Sequence, residues 1–221
     1  MRCSDGHTDC IGEVFASLDD WRHLPNYQLE RRVDIFFSLY LVETLAQFLN
    51  EPISDMLIPE FPLTISDKSN RTVKMDYAAF NEKKTKFYLI ELKTAMGSIN
   101  PPQFERYSEA ARCVGKLFDD LIKIAKISKQ TNKYLYLLNK LKNGPHFVET
   151  TEDGGWKTTE LAYNLVGEVV LIAPLAPACS ITDMRINHMI TFSDISNVVK
   201  NYSDPLSRIF YESLQKWIDK P

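Results

Sequence analysis

Phe87 to Thr94 reads FYLIELKT, an apolar run that turns charged at its end. A run this short, rich in aromatic and branched residues and preceded by the charged turn Asn81 to Lys86, predicts a buried β-strand. Side chains alternate along a strand, so Glu91 and Lys93 share one face and Leu92 takes the other. Buried charge is costly unless it is paired or metal-bound. The strand therefore has to end where something meets Glu91 and Lys93. Thr72 to Phe80, on the other side of the turn, reads as its hairpin partner and carries Asp76. Folding the hairpin back brings Asp76 beside Glu91.

Two acids beside one lysine suit a particular chemistry. Asp76 and Glu91 offer the oxygen ligands that a hard cation such as Mg2+ takes. A metal held there polarises a phosphoryl oxygen and lowers the pKa of a bound water. Lys93 can orient that water or stabilise charge developing in the transition state. This is the equipment of a metal-dependent phosphodiesterase. An ordinary hairpin with a Glu–Lys pair on its solvent face meets the same spacing, because such patterns arise often by chance.

A second motif follows. Gly97 to Pro102 reads as a loop, and Pro101 and Pro102 open a helix expected from Gln103 to about Ser128. Gln103 and Tyr107 are four apart and lie on one helix face, with Arg106 beside them. Asp76, fourteen residues, then Glu91-Leu92-Lys93, then Gln103 and Tyr107 opening a helix, resembles the PD-(D/E)XK nuclease superfamily. The Gln–Tyr pair looks like the QxxxY motif of its RecB-like branch. The proline that often precedes the family's Asp is replaced here by Met75. The resemblance covers residues 28 to 130 well and the rest by element order only. It implies that Asp76 and Glu91 bind Mg2+ or Mn2+, with the Leu92 carbonyl as a further ligand. It also implies that Lys93 assists the attacking water and that Gln103 and Tyr107 lie by the active site and DNA. A glutamate of the family's first helix often completes the metal site; Glu30 is the first candidate and Glu43 the second. Arg106, Arg31 and Arg32 are candidate phosphate ligands, an arginine fork being able to hold two oxygens. Arg31 and Arg32 could equally pair with Asp34, and Glu30 could simply favour a helix start.

The whole chain sets bounds on these readings. At 221 residues one domain over 1–221 is expected, with ample length for a core. The formal net charge of −3 does not mark a generic nucleic-acid binder, but charge is segregated. Residues 1 to 60 hold four basic and eleven acidic residues, whereas 112 to 142 hold eight basic residues and two aspartates. The second stretch offers a basic surface for phosphates or a solvated helix face. No run of eighteen apolar residues occurs, so no membrane helix is expected. The polar start MRCSDGHTDC is unlike a signal peptide, and four scattered cysteines fit a reducing cytoplasm. Cys3, His7, Cys10 and His23 match no standard zinc spacing.

Residues 1–26 read as a loosely ordered lead with a short helix over Ile11 to Leu18. Asn26 is the expected cap of a helix over Tyr27 to Leu49, whose apolar positions from Leu29 to Phe48 recur at helical spacing. Ile58 to Ile65, interrupted by prolines, suits an edge strand, and Asp67 to Asn70 a turn. Gln130 to Asn143 reads as a helix within an insertion over 130–165. Thr158 to Leu165 reads as a hairpin or short helix. Gly167 to Pro174 and Asn187 to Phe192 read as strands, with a proline-marked loop between them. His188 reads as a surface or packing histidine. A helix capped by Ser193 and one from Pro205 to Trp217 close the chain.

The sum is an α/β fold with a central mixed sheet flanked by helices, for which the resemblance implies a restriction-endonuclease-like core. The expected function is metal-dependent hydrolysis of DNA phosphodiesters, RNA not being excluded. The alternative is a non-catalytic nucleic-acid- or protein-binding module on the same fold. The family's distribution points to a bacterial setting in defence or repair. A homodimer or a place in a larger complex stays open.

Overall fold

The computed structural model describes residues 10–66, 69–174 and 185–218, without the side chains of 64–72 and 101. Its helices are α1 (Cys10–Trp21), α2 (Glu30–Leu49), α3 (Pro101–Ala111), α4 (Val114–Ile127), α5 (Thr131–Asn143), α6 (Glu160–Tyr163), α7 (Phe192–Val199) and α8 (Pro205–Trp217). Its strands are β1 (Ile58–Ser66), β2 (Ser69–Phe80), β3 (Lys86–Leu92), β4 (Val148–Thr150), β5 (Trp156–Thr158), β6 (Val166–Ala173) and β7 (His188–Thr191). The FYLIEL run is β3, the middle strand of a five-stranded sheet in the order β1-β2-β3-β6-β7. β1, β2 and β3 form an antiparallel meander, and β6 and β7 add in parallel. A parallel neighbour requires a long crossover, and the chain from α3 to α6 supplies it.

Both faces of β3 are covered, as its unbroken apolar run demands. Phe87 and Leu89 join a core with Phe104 and Tyr107 of α3, Phe118 and Leu121 of α4, and Leu138 and Leu141 of α5. Tyr88, Ile90 and Leu92 join the opposite core with residues of α1, α2, α7 and α8. The first core centres on Phe61, Phe87, Phe118 and Phe147, whose rings meet mostly edge to face at 5.3–6.2 Å. The expected insertion over 130–165 is α5, a two-stranded β4–β5 ribbon and α6, and it extends this core through Phe147 and Val148. Among the described residues no helix is long and apolar enough to cross a membrane.

Several expected elements are corrected. The short helix expected over Ile11 to Leu18 is present as α1, but the lead is not loose from Cys10 onward: α1 buries Phe15 and Leu18, and Asp19 accepts a hydrogen bond from Trp217 Nε1 at 2.8 Å. Cys3 and His7 lie outside the described residues. α2 starts at Glu30 rather than Tyr27. Asn26 has φ 63° and serves as a turn residue, while Leu29 holds the cap position without a side-chain bond. Thr191, not Ser193, caps α7 through a reciprocal capping box with Asp194. The single helix expected from Gln103 to Ser128 is two. At the break Cys113 has φ −144° and ψ 80°, outside the helical region. The end of α3 is pressed onto β6: a Cβ on Gly167 would lie 2.2 Å from the Ala111 carbonyl oxygen.

That contact separates two glycines. A Cβ at Gly115 would meet the side chain of Tyr163, a half-exposed ring that can swing away, whereas Gly167 faces backbone. Gly167→Ala is expected to cost about 1–3 kcal/mol, as overpacking does. Gly115→Ala, which gains helix propensity, should cost less. Urea unfolding of both variants checks the order.

Candidate active site

The site forms where the hairpin parts. β2 and β3 pair from Phe80↔Phe87 to Tyr77↔Ile90. One residue further, Asp76 Oδ2 accepts the Leu92 backbone N–H at 2.7 Å, so a carboxylate replaces a strand carbonyl in the ladder. On the neighbouring edge strand, Glu60 stands opposite Asp76 with φ 53°. The face pattern slips there: Ile58 and Phe61, and likewise Met75 and Ala78, are three apart yet join the same core. The sheet is thus irregular at the residue whose carboxylate is wanted.

Glu91 is the centre of the site. It is 2% exposed, and Lys93 on the same face is 6% exposed. The Lys93 ammonium contacts Glu91 Oε1 and lies 3.7 Å from Glu30 Oε2. Gln103 Nε2 donates to Glu91 Oε1 at 2.8 Å and also contacts the Tyr107 hydroxyl. The Tyr107 hydroxyl donates to Glu91 Oε2 at 2.9 Å. Both oxygens of one buried carboxylate are therefore held by protein donors, and no buried side-chain polar atom among the described residues lacks a partner.

Burial sets the electrostatics. It pushes the Asp76 carboxyl up to about 7, with the Glu91 charge adding to the rise and the Leu92 N–H opposing it. Burial also raises Glu91 and Glu30, against the pull of Lys93 in both cases. For Lys93, burial favours the neutral amine, but the charges of Glu91, Glu30 and Asp76 outweigh it and hold the ammonium above its ordinary value. Burial and the Glu91 charge push the Tyr107 hydroxyl well up, so it remains a donor.

Three carboxylates around one ammonium leave an excess of negative charge in a largely dry site, and every donor is a hard oxygen. That chemistry fits a divalent cation such as Mg2+. The ammonium already stands between Glu30 and Glu91, where positive charge is favoured. As placed, however, no three His, Cys, Asp or Glu side chains among the described residues form a ready metal-binding group.

No family model, curated protein or solved structure matches this chain. The placement of side chains therefore carries the functional reading.

The structure brings together Asp76, Glu91, Lys93, Gln103, Tyr107 and Glu30, drawn from β2, β3, the residue after β3, α3 and α2. Leu92 turns its side chain into the opposite core and gives its N–H to Asp76. Glu43 is not part of the site. It bonds Gln47 at 2.9 Å and contacts Tyr202, and thirteen residues of helix put it about 20 Å from Glu30. Arg31, Arg32 and Arg106 are exposed, and Arg31 is close enough to favour the Glu30 carboxylate. His188 is a packing histidine, 2.6 Å from Glu168 and edge-on to Phe48 and Tyr88. Two residues escaped the sequence reading. Tyr77 donates its hydroxyl to the Asp34 carbonyl at 2.6 Å and so pins the start of α2 to β2. Glu60 adds negative charge beside Asp76. Neither carries a sequence signal beyond its place in the strands.

A carboxyl raised in the folded state contributes stability that is full below its unfolded value, near 3.8, and is lost as pH climbs through about 7. Asp76→Asn keeps an acceptor for Leu92 and cannot ionise. In metal-free buffer it should be more stable than the parent at pH 8, by about 2–4 kcal/mol. The gain should fade on acidification and be gone near pH 4, as read by denaturant unfolding at each pH.

Proposed function

We propose that this chain is a metal-dependent nuclease that hydrolyses DNA phosphodiesters on a restriction-endonuclease-like core of the PD-(D/E)XK type. The observation that carries this reading is the meeting of Asp76, Glu91, Lys93 and Glu30, with Gln103 and Tyr107 on the same buried carboxylate. An ordinary hairpin would leave its Glu–Lys pair in solvent.

Glu30, Asp76, Glu91 and the Leu92 carbonyl are the groups that would hold Mg2+ or Mn2+. When bound, the cation would polarise the phosphoryl oxygen and make a bound water more acidic. In the reaction the water oxygen bonds to phosphorus, the ester P–O bond breaks and a proton reaches the leaving oxygen. Lys93 stays protonated and so can orient the water and offset charge growing on the phosphate. Gln103 and Tyr107 fix both Glu91 oxygens, which sets the carboxylate's angle before substrate arrives. Arg31, Arg32 and Arg106 supply exposed charge for flanking phosphates.

A second reading has one observation in its favour. Both Glu91 oxygens already accept from protein donors, an arrangement that a non-catalytic binding module on the same fold could retain. Cleavage of linear, circular and single-stranded DNA with Mg2+ or Mn2+ decides between the two. The nuclease should cut only with metal, and Asp76→Ala and Lys93→Ala should each lose at least about 100-fold in rate, the scale set by removing an electrostatic stabiliser. Unchanged cleavage in either variant would sink the assignment. If no DNA is cut, a calorimetric Mn2+ titration follows: heat that vanishes in Asp76→Ala supports the metal site, and no heat supports the binding module.

A further inference from the structure

Away from the carboxylates, a groove of about 450 Å³ runs between α5 and the β1 edge of the sheet. Leu57, Pro59 and Pro62 form one wall, Tyr134, Tyr136 and Leu137 the other, and Lys74, Lys133 and Lys140 rim it. Shallower depressions continue it at both ends. One shares Gln130 and Lys133 with the groove and reaches Lys129; the other shares Tyr136 and Lys140 and reaches Gly144. The three make one furrow along α5, whose thirteen residues span about 20 Å.

Its chemistry is specific. Lys133, Tyr136 and Lys140 fall three and four residues apart, on one face of α5. Tyr136 is 65% exposed, and the Lys140 ammonium stands 5.4 Å from its ring centroid. Lys129, Lys133 and Lys140 are exposed, and no ion pair holds them among the described residues; Lys74 pairs with Glu60. An elongated furrow with cations along its rim and a largely exposed aromatic ring matches a polyanion whose units carry flat rings. A small anion would need a closed pocket, and a duplex hides its base faces in the stack. Glu60 lines the middle of the furrow and stands opposite Asp76 in the β1–β2 pairing, so the furrow passes one strand from that carboxylate.

We infer that the α5–β1 furrow binds a single-stranded polynucleotide, lysines taking its phosphates and Tyr136 stacking on a base, and feeds it toward Asp76 and Glu91. The inference rests on the nuclease reading for where the strand leads, but not for its binding. Every base has a π-face, so the furrow reads no sequence.

The test is fluorescence anisotropy of labelled oligothymidylate, oligouridylate and a duplex of equal length, with EDTA present so that nothing is cut. The single strands should bind more tightly than the duplex. Tyr136→Ala should weaken them about tenfold, the usual cost of one lost stack. Removing Lys133 and Lys140 should flatten the dependence of log affinity on log salt by about 0.7 for each lysine. A preference between oligodeoxyuridylate, added as a control without the thymine methyl, and oligouridylate names the sugar, and either preference supports the furrow. Tighter binding of the duplex, or affinity and salt slope unchanged in these surface variants, overturns it. Cleavage is scored separately. Strand binding without metal-dependent cleavage keeps the furrow and removes the nuclease, while cleavage with variant-insensitive binding does the reverse.

Discussion

Glu91 is a carboxylate with almost no access to water, and the rest of the site is arranged around satisfying it. Removing one partner of such a buried pair typically costs about 3–5 kcal/mol, because an uncompensated charge is left behind. Lys93 is that partner, and it comes from the same strand line two residues on. Gln103 and Tyr107 then donate one to each oxygen, which obliges α3 to start directly above the end of β3. The 3-10 turn at Met96–Ser98 and the two prolines at 101 and 102 are what fit into so short a connection. A core strand of similar volume without charges would be cheaper to fold. Retaining the cluster makes sense where its charges act on something that arrives later.

The local geometry is consistent with that. Sheet pairing between β2 and β3 stops at Tyr77↔Ile90, and Asp76 occupies the gap with its side chain. Ligand sites in open sheets with parallel strands lie beyond the carboxyl ends of those strands, and β3 ends here beside its parallel neighbour β6. The Glu91 charge raises the cost of ionising Asp76 and the Glu30 charge that of Glu91, and Lys93 meets only part of both. A second positive charge entering the cluster would relieve all three acids together. Tyr77 helps keep them together, since its bond to the Asp34 carbonyl ties the turn of α2 that carries Glu30 to the strand that carries Asp76.

The parts legible in the sequence are those fixed by neighbours along the chain. Strand period placed Glu91 and Lys93 on one face, the turn placed Asp76 opposite, and helical spacing put Gln103 and Tyr107 on one side of α3. What could not be read depends on distant packing. The α3–α4 break contains no proline or glycine; it coincides with the pressing of Ala111 onto Gly167 in a strand more than fifty residues later. α1 reads as a weak lead because the residues that fix it, Phe210 and Trp217, lie at the other end of the chain. The start of α2 carries no side-chain cap, so Asn26 drew the boundary too early. Glu30, the first candidate, and Glu43, the second, lie on one long helix, and the attachment of its first turn to β2 is what separates them.

On the proposed reading, the acidity of the site calls for a binding surface elsewhere. Three carboxylates disfavour a phosphate chain at the site itself, and one lysine and a few exposed arginines offer limited compensation. The opposite charge is concentrated over residues 112 to 142, on α4 and α5. On the proposed reading, segregating the two signs lets the basic helices attract a polyanion through long-range potential and leaves the acids to a cation. If the lysines were gathered around Glu91 they would neutralise it and compete for the position of a divalent ion. An overall charge of −3 is then no argument against a nucleic-acid substrate, because the sum conceals an acidic and a basic stretch.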